Sequence, residues 1–195
     1  ESYGYIVRDV SSARDRAQIF RDAPPESYRG FFRHLTRRDR ALQAVLFALA
    51  LVEQNPKDLE PRRLVIRGYL ETEQYQLAEL WARQFIDTTN SSEPRTNRRG
   101  HGLLAEALKK RGRKGRLRRL VANHPGQLAQ NEKFWRVAVA SLPSGPTESS
   151  DELAAAVRRA HENWCSGQLS DRRLADCWRV EAWLAEREGD DQKAL

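Results

Sequence analysis

The chain has 195 residues, 39% hydrophobic and 31% charged, enough apolar material for one sizeable domain or a short array of repeats. It has no run of eighteen apolar residues, which excludes a membrane-spanning helix; its longest apolar block is AVLFALALV, Ala44–Val52. The net charge of +7 is local: residues 95–119 hold eleven basic residues against one acid, Glu106, and leave the rest of the chain at −3. Such a patch attracts anionic partners without naming them.

Helical periodicity dominates from the start of the chain. SSARDRAQIF (Ser11–Phe20) reads as one helix, closed by DAPPES. RALQAVLFALALVEQNP is apolar on nearly every turn and stops at Pro56. QLAELWARQFI spaces Leu77, Trp81 and Phe85 four apart, with Ala78 and Ala82 beside them. Next comes ALKKRGRKGRLRR, Ala107–Arg119. Here Leu104 and Leu108 give one helix a buried stripe, and Gly112 lets the chain leave it. Leu117, Leu120 and Val121 face a second helix inward, leaving Arg116, Arg118 and Arg119 outward. A Pro/Gly/Ser loop from Leu142 to Ser150 precedes DELAAAVRRAHENW, whose acidic first turn is a helix start. CWRVEAWLAERE is amphipathic and ends at Gly189-Asp190. Alternating strand patterns are weak, so nine or ten helices joined by short loops are expected.

A shift of 34 residues superposes like on like. Leu35 meets Tyr69, Ala44 meets Ala78, Ala48 meets Ala82, Leu51 meets Phe85, Phe31 meets Val65, and Pro56 meets Asn90. Small residues recurring at one place imply two helices in close approach there. The spaced residues Tyr28, Phe31, Leu35, Ala44, Ala48 and Pro56, then Val65, Tyr69, Tyr75, Ala78 and Ala82, resemble the tetratricopeptide repeat. Trp178, Ala182, Gly189, Asp190 and Ala194 look similar, while the middle of the chain matches more loosely.

The resemblance implies an all-α fold, a right-handed α-solenoid of about five helix-turn-helix hairpins. The units fall near 25–58, 59–92, 94–125, 127–167 and 170–195, with 1–24 a partial repeat. The chain carries no Met and stops inside what reads as a helix, so a window on a longer array is expected. In the family, the first helices of successive units line a concave groove that docks partner segments without catalysis. By the 34-residue offset Arg29 corresponds to Arg63 and Arg33 to Arg67, so these four are expected to bind an anionic protein or peptide segment. Salt bridges to Glu26, Glu60 or Glu71 are the competing use of the same residues.

The basic patch is Lys109, Lys110, Arg111, Arg113, Lys114, Arg116, Arg118 and Arg119. It reads either as a solvated hairpin corner or as a surface for an anion, nucleic acid included. No aromatic residue interleaves it, which counts against single-strand stacking. Cys165 and Cys177 stand twelve apart, too few and too far for a zinc site by sequence spacing. They are either a disulfide across a helix hairpin or two buried thiols. A bridge places the chain in a periplasmic or secretory compartment, where by analogy a bacterial secretion or polysaccharide-export assembly is a host; free thiols place it in the cytoplasm. The tryptophans Trp81, Trp135, Trp164, Trp178 and Trp183 read as packing residues.

Catalytic patterns are lacking. His34, His101, His124 and His161 are scattered, without H-E-x-x-H, and there is no G-x-S-x-G elbow. RGRKGR lacks the spacing of a phosphate-binding loop. The chain is therefore not expected to be an enzyme or to hold a cofactor. Asn90-Ser91-Ser92 matches a glycosylation triplet.

Overall fold

The structure, a computed structural model, describes residues 2–38, 40–89, 94–143, 151–166 and 170–188. Among them it is all-helical. The helices are α1 (Ser2–Ile19), α2 (Pro25–Arg37), α3 (Ala41–Gln54), α4 (Leu59–Glu71), α5 (Tyr75–Thr89), α6 (Pro94–Lys110), α7 (Lys114–Asn123), α8 (Pro125–Gln130), α9 (Glu132–Val139), α10 (Asp151–Trp164) and α11 (Asp171–Glu188). The count exceeds the sequence expectation because Pro125 opens a short helix of its own, α8, before Asn131 starts α9. The Asn131 side chain caps α9 by accepting from the Phe134 N–H at 3.0 Å. The Asn90-Ser91-Ser92 triplet, the loop from residue 144 to 150, and Gly189, Asp190 and Ala194 lie outside the described residues. No described helix is long and apolar enough to cross a membrane.

Contacts divide the chain into two units, Glu1–Glu93 and Pro94–Leu195. In the first, α3 packs against α1, α2 and α4, and α4 against α5. The reason is in α3 itself: from Ala41 to Val52 it carries no charged residue, so it needs cover on several sides. Ala44 and Ala48 are wholly buried there, and Ala78 and Ala82 are wholly buried at the equivalent places of α5. Gly68 of α4 takes part in the same close approach. A Cβ added to it would stand 2.5 Å from Cγ2 of Val45. The buried side of α5 centres on Ala78, Ala82 and Phe85, while Leu77, read from the sequence as sharing that stripe, is 37% exposed.

In the second unit α6 packs on α7 and α9, α10 on α7 and α8, and α11 on α10 and α9. Leu104, Leu108, Leu117 and Val121 are buried, as the inward stripes require. Gly112 ends α6 with φ +68°, its N–H bonded to Lys109 O at 2.9 Å and the next N–H, of Arg113, to Leu108 O at 2.9 Å. Glu73 adopts the same left-handed conformation (φ 59°) in the turn between α4 and α5.

The close approach of α3 and α4 makes a paired test. Gly68→Ala is expected to destabilise the protein by about 1–3 kcal/mol through overpacking. Gly30→Ala, in α2 with nothing within 4 Å of an added Cβ, is expected to stabilise it by up to about 1 kcal/mol. Urea unfolding of the two variants checks both signs.

Candidate functional site

The repeated arginines converge on one acid. Asp58 caps α4 by accepting from the Glu60 N–H at 3.0 Å, which places the Glu60 carboxylate at the head of the helix facing α2. Arg29 of α2 donates through Nε to Glu60 Oε1 at 2.6 Å, and its Nη1 lies 3.6 Å from Glu26. Arg63, buried one turn after Glu60, pairs with the same Oε1. Tyr28 completes the cluster by donating its hydroxyl to Asp58 Oδ2 at 2.8 Å. Burial, together with Asp58, pushes the Tyr28 hydroxyl pKa well above its ordinary value, so it remains a donor. The two equivalent positions, 29 and 63, thus share an internal counterion. Arg33 and Arg67 stand exposed on the same two helices; Arg33 Nε lies 3.4 Å from Arg29 O. Two of the four arginines therefore have an internal acid: Arg29 meets Glu60 across α2 and α4, and Arg63 meets it within α4.

A different feature of the first unit is open. A cleft of about 430 Å³ lies between the end of α1, the exposed side of α2 and the start of α3. Ile19, Phe20, Phe31 and Leu35 line it together with the carbon atoms of Arg16, His34, Arg38 and Arg40, and almost no polar surface faces into it. Phe20, Phe31 and Phe47 form an aromatic cluster beneath it, with ring centroids 4.9 to 5.5 Å apart. Ile19 is 77% exposed. No carboxylate lines the cleft among the described residues; Asp39 lies outside them. Sequence reading missed this site, although the run from Arg33 to Arg40 carries four arginines and a histidine against one acid, Asp39, directly after Phe31 and Phe32.

The basic patch lies in the second unit, around the turn between α6 and α7. Lys109, Lys110, Arg113, Lys114, Arg116 and Arg119 are exposed and Arg111 and Arg118 half-buried; Arg111, Arg116 and Arg118 have partners of their own. Glu106, the acid within the patch, pairs with Lys133 of α9. The six exposed cations are thus held on a rigid corner by the leucines beneath them.

At the other end of the second unit Cys165 and Cys177 form a disulfide between the end of α10 and α11, with Cα atoms 5.9 Å apart. His161, one turn before Cys165, lies beside it with Nε2 3.2 Å from Glu181 Oε1. Trp164, next to Cys165, donates its indole N–H to Leu128 O at 3.1 Å and is covered by the Arg173 guanidinium at 5.3 Å. Trp135 and Trp183 are buried as packing residues, whereas Trp178 is 62% exposed.

Two further histidines are structural. The rings of His101 and His124 stand 4.4 Å apart, and His101 Nδ1 lies 3.1 Å from Asn97 O. A carbonyl only accepts, so Nδ1 carries the proton of the neutral ring. Burial holds both imidazoles below their ordinary pKa. The unfolded chain therefore binds protons that the folded chain refuses. The stability these neutral rings contribute is complete above the ordinary histidine pKa of about 6.5 and is lost as the pH drops below it. Urea unfolding between about pH 7.5 and about pH 5 is expected to show this loss, with a smaller slope in His101→Gln. An unchanged slope in that variant contradicts the assignment.

Comparison with protein-family models, with curated proteins and with solved structures found no match to this chain.

Proposed function

We propose that this chain is a non-catalytic protein-binding scaffold, a tetratricopeptide-like helical repeat that docks an acidic partner segment carrying an apolar anchor. The observation that carries the reading is the cleft of the first unit: an apolar, aromatic-backed floor to which Arg16, His34, Arg38 and Arg40 add their carbon atoms. An apolar side chain entering the floor is desolvated, and carboxylates on either side of it meet the exposed Arg38 and Arg40. Ile19, large and exposed at the cleft, is the kind of surface a partner covers. The register of Ala44 and Ala48 on Ala78 and Ala82, all wholly buried, supports the repeat reading on which the scaffold role rests. With Cys165 and Cys177 bridged, the scaffold belongs in a periplasmic or secretory compartment, and an envelope secretion or polysaccharide-export assembly is a host of the right kind.

The six exposed cations of the corner between α6 and α7 favour a second reading, nucleic-acid binding through that patch. One experiment separates the two. Fluorescence anisotropy is measured with a labelled peptide in which Phe and Leu are flanked by Glu and Asp, and with a generic single-stranded RNA. Arg16→Glu with Arg38→Glu is expected to weaken the peptide by at least about tenfold, a loss of ~1.4 kcal/mol, while Lys109→Glu with Arg113→Glu leaves it unchanged. Peptide binding indifferent to the cleft variant contradicts the first reading. RNA binding that weakens with salt and disappears only in the patch variant establishes the second.

A further inference from the structure

The disulfide stands among groups that a disulfide does not need. His161 and Cys165 are four residues apart at the end of α10, where the Cys165 N–H donates to His161 O at 2.8 Å and so continues the helical turn. Cys177 and Glu181 are four apart on α11. Each pair therefore projects from one helix face, and the two faces meet, because the disulfide joins them. A nitrogen of His161 and the two Sγ atoms lie within 4.8 Å of one another. His161 is largely buried, and its Nε2 makes no hydrogen bond, although Glu181 Oε1 is 3.2 Å away, within ion-pair distance but out of line for a bond. Glu181 Oε1 stands outside that 4.8 Å group, and its exposed side chain must swing toward the sulfurs to supply a fourth ligand to a cation held by the other three.

We propose that the Cys165–Cys177 disulfide is one of two states of this site, and that in the reduced state His161, Cys165, Cys177 and Glu181 bind one zinc-class divalent cation. The chemistry closes as follows. Two equivalents of a thiol reductant supply two electrons and two protons; the S–S bond breaks, two cysteine thiols form, and the reductant leaves as its own disulfide. The cation displaces both thiol protons to solvent and accepts electron pairs from two thiolates, the neutral His161 nitrogen and the Glu181 carboxylate. The sulfur atoms must separate to about 3.8 Å to sit at ~2.3 Å from a tetrahedral zinc, and cysteine side-chain rotation at an unchanged backbone supplies that movement. Oxidation by a disulfide reverses the sequence, re-forming the S–S bond and releasing the cation. In either state α10 and α11 remain pinned, so the helix pair keeps one crosslink in both oxidising and reducing surroundings.

The test is a cobalt titration of the full chain, with a phosphine as reductant because dithiols chelate metals themselves; water supplies the oxygen of the phosphine oxide. The reduced protein is expected to take up one equivalent of Co²⁺ with tetrahedral d–d and thiolate-to-cobalt bands, to exchange it for Zn²⁺, and to release it when a disulfide oxidant is added. The oxidised protein is expected to take up none. His161→Ala, which leaves the disulfide intact and can be checked for helical content while oxidised, is expected to weaken binding by at least about 100-fold, beyond the usual effect of a group that only supports a ligand. Glu181→Gln is expected to weaken it by about tenfold or more and to shift the d–d bands. Absence of stoichiometric uptake by the reduced wild type overturns the proposal. So does uptake by the oxidised protein, or binding that His161→Ala or Glu181→Gln leaves unchanged.

Discussion

The first unit depends on the cover that α3 requires. A helix with no charge between Ala41 and Val52 exposes too much apolar surface to stand alone, and α1, α2 and α4 close over it. They reach it because small residues clear the way: Ala44 and Ala48 on α3 itself, and Gly68 on α4 against Val45. Phe47 then anchors Phe20 and Phe31 from the other side. The cleft is a consequence of this arrangement. Packing on α3 turns one side of each aromatic inward and leaves the other as a floor, while the charged ends of α1 and α2 remain at its edge.

The same packing decides what the arginines do. Drawing α2 and α4 together around α3 brings Arg29 of α2 to Glu60, which Arg63 already meets one turn along α4. Glu60 and Arg63 are largely buried and Arg29 about one-third exposed, so the acid is matched by two guanidinium groups. A partner's carboxylate at this place competes with one already built in. Arg38 and Arg40 at the cleft, and six of the eight cations at the corner between α6 and α7, are exposed. Arg33 and Arg67, the other pair at the repeat interval, are also exposed.

Periodicity was legible where one side chain settles the matter. Ala44, Ala48, Ala78 and Ala82 announce close contacts by size alone, and Gly112 announces a left-handed turn. Leu77 was misread because helical spacing gives a stripe without saying how wide its cover is. The fate of Arg29 and Arg63 turned on Glu60, whose direction depends on a cap at Asp58 that spacing does not reveal. The cleft combines residues from α1, α2 and the start of α3, so no single window of sequence contains it. The grouping of His161 and Glu181 with the cysteines was partly visible, as two i, i+4 pairs. Counting only the twelve-residue separation of the cysteines hid that the helices on either side bring the pairs face to face.

The central claim is that the apolar floor held by α3 is where an acidic segment docks. Methyl NMR of the intact chain, labelled at Ile and Leu and titrated with the acidic Phe/Leu peptide, tests it most directly. The account predicts shifts at Ile19 and Leu35, which line the cleft, with Ile66, wholly buried in α4, unmoved. Shifts confined to Leu117 and Leu120 beneath the basic corner, or no shift at saturating peptide, contradict it.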